Sequence, residues 1–205
     1  MRGLIGKKIG MTRVFGSNGH VIPVTILEAG PCHVTQVKSI ENDGYESVQV
    51  GYSEAKTKHL TKPLGGHFNK YSVKPMRILA EFKKVPNFEY KPGQIFNVSL
   101  FKEGDYVTVS GKSKGHGFSG TVKKYSFSTQ RKTHGQGDTY RHVGSIGNAS
   151  DPSRVFPGKK MPGRFGNKKV SVKSLEIITV DEESNQLLIK GSIPGASNGV
   201  VVITR

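Results

Sequence analysis

With 205 residues, 31 Lys or Arg and 15 Asp or Glu, the chain suits one domain with a large appendage and is short for two; its net charge of +16 far exceeds the magnitude of about 2–8 that solubility requires. That excess favours a polyanionic partner, nucleic acid foremost, over a merely solvated surface. The single cysteine, Cys32, excludes an internal disulfide framework and a multi-cysteine zinc site, and an apolar run of four residues, 200–203, excludes a membrane-spanning helix. No charged stretch followed by an apolar one opens the chain, so the expectation is a cytoplasmic protein used from its first residue, with no membrane partner.

In chain order, residues 21–27 and 34–40 read as strands, and Val48, Val50 and Tyr52 alternate with Gln49 and Gly51 as a third. One helix is predicted between Thr61 and Tyr71, with Thr61 as cap and Pro63 in the first turn, although Gly65 and Gly66 weaken it. Strand patterns resume at 78–82, at Phe96, Val98 and Leu100, and at Val107 and Val109 around Thr108. After a long break they return at 175–180, 187–189 and 200–204. Asn18-Gly19, Asn42-Asp43-Gly44 and Asn198-Gly199 supply turn chemistry between such runs, because these residues tolerate positive φ. Short strands with little helix, no internal repeat and no βαβ unit predict a mainly β protein, an antiparallel barrel or sandwich. Residues 174–205 are too few to bury a core alone, so the last strands are expected to close on the first.

The charge is unevenly divided. Residues 1–111 hold 15 basic and 9 acidic residues, 112–173 hold 14 and 2, and 174–205 hold 2 and 4. The central segment has about 14 apolar residues in 62 and ten glycines, and its stretch GSIGNASDPSRVFPGKKMPGRFGNKK (144–169) fits neither a helical nor a strand period. Such a segment cannot bury enough surface to offset about 1–2 kcal/mol per residue of backbone ordering, so alone it should be disordered. The expected organisation is one globular β domain, 1–111 with 174–205, carrying an embedded Gly/Pro-rich basic extension, 112–173.

Motifs for catalysis or cofactor binding fail in context. Gly115, Gly117 and Gly120 match GxGxxG, yet no helix pattern follows, and Tyr140 stands where an acid is needed. Gly111-Lys112-Ser113 lacks the first glycine of a phosphate loop, because position 106 is Tyr. His134, Asp138 and His142 share a face only on a helix, which Gly135 and Gly137 oppose, so these side chains suit hydrogen bonding or phosphate contact better than metal. Ser145 is not in a GxSxG elbow, Cys32 and His33 point to opposite faces of a strand, and the segment holds only Asp138 and Asp151 as acids. No catalytic, metal or cofactor residue and no small-molecule substrate is therefore predicted.

What remains is chemistry for an RNA backbone. Lys112, Lys114, Lys123, Lys124, Arg131, Lys132, Arg141, Arg154, Lys159, Lys160, Arg164, Lys168 and Lys169 recur along the segment as phosphate contacts. Phe118, Tyr125, Phe127, Tyr140, Phe156 and Phe165 are interleaved with them as stacking faces for unpaired bases. For Phe118 and Phe127, anchoring to the barrel is an equal alternative.

GKSKGHGFSGTVKKYSFSTQRKTHG (111–135), GSIG (144–147) and RVFPGKKMPGRFGNKKV (154–170), with GLIGKKIGMTRVF (3–15) and IKGSIPGASNG (189–199) at the ends, together resemble the universal ribosomal protein L-three family in its bacterial form. The resemblance spans nearly the whole chain. It implies a six-stranded Greek-key barrel of the translation-protein type with a long irregular basic internal extension running through large-subunit rRNA toward the peptidyl-transferase region. It also implies direct 23S rRNA binding, an early assembly role, and neighbours of the L-fourteen and L-nineteen families. Through the matching motifs it assigns rRNA contact to Lys123, Lys124, Arg131, Thr133, His134, Gly135, Arg154, Lys159, Lys160 and Arg164. Two departures stand out. Tyr125 replaces the Trp of many bacterial relatives, and Asn148-Ala149-Ser150 lacks the Gln that some relatives methylate. The competing readings are an RNA-modifying enzyme with a basic recruiting arm and an RNA-binding regulator acting outside the ribosome.

Overall fold

The structure, a computed structural model, describes residues 3–16, 18–86 and 88–205. Its first strand, β1 (Gly3–Phe15), is one that sequence patterning does not announce. A Cβ on Gly6 would lie 2.6 Å from the Glu28 carbonyl oxygen of β2 (Val21–Ala29), and one on Gly3 would lie 2.6 Å from the Ile203 carbonyl of β12 (Val200–Thr204). These glycines permit close backbone approach, and they interrupt the apolar alternation that would reveal a strand. A bulge between Lys8 and Gly10 shifts the register, so the period is lost at Ile9 as well.

Around a closed barrel the order is β1, β12, β7 (Tyr106–Lys112), β10 (Lys169–Asp181), β11 (Gln186–Lys190) and β2, every neighbour antiparallel. The last strand closes on the first, Gly3 opposite Thr204 through Lys7 opposite Val200, as expected. The buried Lys8 ammonium fixes the loop before β12 by donating to the carbonyls of Ile193 (3.1 Å) and Gly195 (3.5 Å).

A second antiparallel sheet was not expected. It runs in the order β5 (Met76–Lys83), β4 (Ser47–Glu54), β3 (Cys32–Lys38), β6 (Ile95–Phe96). Leu4, Ile5, Leu27, Ile177, Leu187, Ile189 and Ile203 of the barrel and Val34, Val48, Val50, Phe82 and Phe96 of this sheet form one buried cluster. Each fully buried aliphatic contributes about 1.5–3 kcal/mol, so this shared core is the main source of stability.

Two strand expectations are corrected. The pattern at Phe96, Val98 and Leu100 is not one strand: β6 ends at Phe96 and Val98–Leu100 is a 3-10 turn, with the Phe101 N–H donating to Val98 O at 2.9 Å. Val98 and Phe101, three apart, are the residues buried there, and a 3-10 turn places i and i+3 on one side. Strand β3 stops at Lys38, and Ile40, 66% exposed, opens the one-turn helix α1 (Ile40–Asp43). Gly44 closes that helix at φ 79, its N–H donating to Ile40 O, so the turn chemistry is used as a helix end. The predicted helix is α2 (Lys62–Lys70), with Thr61 at the N-cap position and Pro63 in the first turn. It tolerates Gly65 and Gly66 because buried Phe68 anchors it, while the Thr61 side chain makes no capping bond.

The chain divides into two compact units, Met1–Ser113 with Lys169–Arg205, and Lys114–Lys168. The second contains β8 (Phe118–Ser119), the helical turn α3 (Thr121–Tyr125) and β9 (Gly163–Arg164). Among the described residues no helix is long and apolar enough to cross a membrane.

Candidate nucleic-acid interface

The unit Lys114–Lys168 carries eleven Lys or Arg against Asp138 and Asp151, and of its residues only Ser119 and Thr121 are buried. Backbone pairing, not an apolar core, shapes its root. The His116 N–H donates to Phe165 O (3.0 Å), the Phe165 N–H to Gly117 O (2.9 Å) and the Asn167 N–H to Lys114 O (3.4 Å). β8 and β9 continue this pairing, Phe118 opposite Arg164 and Ser119 opposite Gly163. The His116 ring stacks on Phe165 with centroids 5.0 Å apart, and Ser119 Oγ donates to His116 O at 3.2 Å. Gly166 is required here: its φ is 72, and a Cβ would strike the Lys114 carbonyl.

This root and α3 bring distant cations together. Lys124 Nζ lies 5.0 Å and Lys160 Nζ 5.8 Å from the centroid of the Tyr125 ring, and Lys124 Nζ is 3.0 Å from where a Cβ on Gly163 would stand. Two ammonium groups thus share one ring, which holds their stems in place while leaving charge for an anion. Arg154 is placed over Phe156 at 5.1 Å.

Arg131, Lys132, Thr133, His134 and Gly135 lie on an exposed loop closed by Gln130, whose N–H donates to Tyr140 O at 3.0 Å. Gln136 Nε2 ties the same loop to Gln130 Oε1 (2.7 Å) and Thr139 Oγ1 (2.6 Å). Arg141 joins Gly120, Thr121, His142, Val143, Gly144 and Pro162 around a cleft of about 450 Å³. Lys114, Lys123, Lys159, Arg164 and Lys168 are exposed, and Lys124 is half-buried. Lys112 and Lys169 lie instead in the barrel unit, directly opposite one another at the ends of β7 and β10. Like charges facing across a ladder repel, and a phosphate would relieve that repulsion.

The barrel unit, by contrast, contains ion pairs: Lys38 with Glu81 (2.7 Å), Lys74 with Glu54, Lys84 with Glu46, Lys190 with Glu176 and Arg205 with Asp105. Of the interleaved aromatics, Tyr125, Phe127, Tyr140 and Phe165 are half-buried, Phe156 is exposed and Phe118 is 81% exposed. Within its own unit the Phe118 ring is left bare. Sequence reading missed α3 and the His116–Phe165 stack: five residues around two lysines show no helical stripe, and the stack forms only once the two ends of the segment meet.

His134, at φ 62, and Asp138, which opens a 3-10 turn, share no helix face with His142. Among the described residues no three His, Cys, Asp or Glu side chains are grouped to hold a metal ion. Burial pushes the Cys32 thiol up to about 11, against the lowering effect of its bond to Ile5 O, which makes it a poor nucleophile.

Comparison with known proteins decides the family. A family model for ribosomal protein L3 matches residues 85–186. The large ribosomal subunit protein uL3 of Thermotoga petrophila is 48% identical over 203 residues, 99% of this chain and 96% of the relative. Those of Corynebacterium jeikeium and Petrotoga mobilis are 46% and 45% identical, again over 99% of this chain and over 93% and 94% of theirs. The chain belongs to the ribosomal protein L3 family. L3 proteins are structural proteins and not enzymes, in keeping with the non-catalytic reading of the sequence.

Proposed function

We propose that this L3 protein is a structural constituent of the large ribosomal subunit that binds 23S rRNA directly. The observation that carries the reading is the gathering of exposed, acid-poor cations on Lys114–Lys168 beside exposed rings. The contacts are Lys112, Lys114, Lys123, Lys124, Arg131, Lys132, Thr133, His134, Gly135, Arg141, Arg154, Lys159, Lys160, Arg164, Lys168 and Lys169. In this reading 112–173 is an rRNA-binding extension of one barrel domain, acting early in assembly and organising rRNA near the peptidyl-transferase region. The neighbours are proteins of the L-fourteen and L-nineteen families. Family membership weighs against the RNA-modifying enzyme, and no feature of the molecule favours a free regulator.

Filter binding of the full chain to a 23S rRNA transcript at several salt concentrations tests this. If about eight phosphates are met, the logarithm of the association constant should fall with that of salt at a slope of roughly −6 to −7. Replacing Lys159, Lys160 and Arg164 together by Ala should reduce the slope by about 2–3 and leave the melting temperature nearly unchanged. A slope near zero would sink the proposal.

A further inference from the structure

The short ladder of β8 and β9 is built inside out. Successive side chains of a strand point to opposite faces, and an isolated ladder on a protein surface ordinarily turns its apolar residue inward. Here Ser119 is the buried residue, its hydroxyl bonded to His116 O at 3.2 Å, while Phe118 beside it is 81% exposed. The strand could have buried the ring by exchanging the two residues. Its opposite partners follow the same division. Gly163, facing Ser119, leaves room for Lys124 Nζ, and Arg164, facing Phe118, is exposed.

Directly opposed side chains share a face with their Cβ atoms about 4.5–5.5 Å apart, so Phe118 and Arg164, both exposed, rise from the same face of the ladder. The ladder cannot swivel freely beneath them, because the pairing of His116 and Gly117 with Phe165 continues it and Gly166 packs against Lys114. The ring is presented on a fixed base.

We propose that Phe118 and Arg164 form a stacking platform for one unpaired nucleotide, the ring taking the face of the base and the guanidinium its phosphate. The chemistry matches the surroundings, since the unit has eleven cations and two acids and therefore attracts a polyanion, not an apolar peptide. A ring beside a planar cation fits a base with its phosphate at either end of the stack. The inference rests on the rRNA-binding reading and specifies one of its contacts; it gives Phe118, left open by the sequence between stacking and anchoring, a stacking role shared with Arg164.

The test uses the full-length protein and the same 23S rRNA transcript. Phe118→Leu should lower affinity roughly 5- to 100-fold without altering the salt slope, because no charge is removed, whereas Phe118→Tyr should bind as the parent does. Arg164→Ala should weaken binding and reduce the slope by about one. Melting temperatures of the Phe118 variants should match the parent, since the ring is exposed. Parent-like affinity of Phe118→Leu overturns the platform and points to a protein neighbour for that ring. The triple Lys159, Lys160 and Arg164 variant would still report whether the broader RNA reading holds. Equal weakening by Phe118→Tyr and Phe118→Leu overturns stacking as the cause, and failure of the parent to bind overturns both proposals.

Discussion

The barrel unit and the unit Lys114–Lys168 reach order by opposite means. In the barrel, two sheets share a core in which Leu4, Ile5, Leu27, Val34, Val48, Ile189 and Ile203 are fully buried, and several of its surface cations, Lys38, Lys74, Lys84, Lys190 and Arg205, are met by carboxylates. In Lys114–Lys168, two small polar residues are buried, and the fixed points are backbone hydrogen bonds, a ring stack and lysines lying over Tyr125. Burial is favourable in the free protein, whereas a concentration of like charge and bare rings is favourable only against a partner. The one region is finished by folding and the other is shaped for completion.

Leu27→Ala should mark the first half of this comparison with the largest effect. Leu27 has no exposure and lies between β1 and β11, so truncation leaves a cavity and should cost about 2–5 kcal/mol in chemical denaturation. Below its melting temperature the variant should keep the parent's RNA salt slope. A changed slope would mean that the barrel core governs the basic unit as well.

Gly166→Ala addresses the other half. An Ala at φ 72 costs about 1–2 kcal/mol in backbone strain, and its Cβ must also displace the Lys114 carbonyl. Amide exchange should quicken at Phe165 and Asn167, whose N–H groups pair across this root, while the barrel melts within a degree or so of the parent, on the order expected for a change outside the core. A fall in melting temperature like that of Leu27→Ala would break the distinction between the units.

How much was legible follows the same division. Alternating Val48, Val50 and Tyr52 or Val107 and Val109 revealed barrel and sheet strands because burial on one face dictates a period of two. Strand β1 escaped because Gly3, Gly6 and the bulge at Lys8 serve backbone approach, which leaves no periodic trace. The second sheet escaped as a sheet, though most of its strands were visible singly, because pairing order is set by contacts between distant residues. In the basic unit the cations were legible from charge alone. Which of them meet was not, since Lys124 and Lys160 are joined only by the Tyr125 ring. The exposure of Phe118 reverses the usual inside–outside rule, so the sequence left its role open.

Glu81→Gln gives the smallest effect and bears on charge pairing. The Glu81 carboxylate accepts from Lys38 Nζ (2.7 Å), Tyr45 Oη (2.8 Å) and Ser47 Oγ (3.2 Å), and chiefly the Lys38 bond holds its pKa below the ordinary carboxylate range. The same bond raises Lys38. A carboxyl depressed on folding stabilises above its unfolded pKa, and the contribution is lost as pH falls through the folded value; the raised lysine is the mirror case, its contribution lost only at high pH. The pair therefore stabilises across neutral pH. Gln keeps an acceptor oxygen but no charge, so the variant should melt slightly below the parent at pH 7, the gap should narrow in 1 M salt, and the two should converge as pH falls below the ordinary carboxylate range and Glu81 takes up its proton. A gap independent of both pH and salt would mean that the contact at Glu81 is one of shape, and that this charge pair on the barrel is no more committed than the acid-poor cations of Lys114–Lys168.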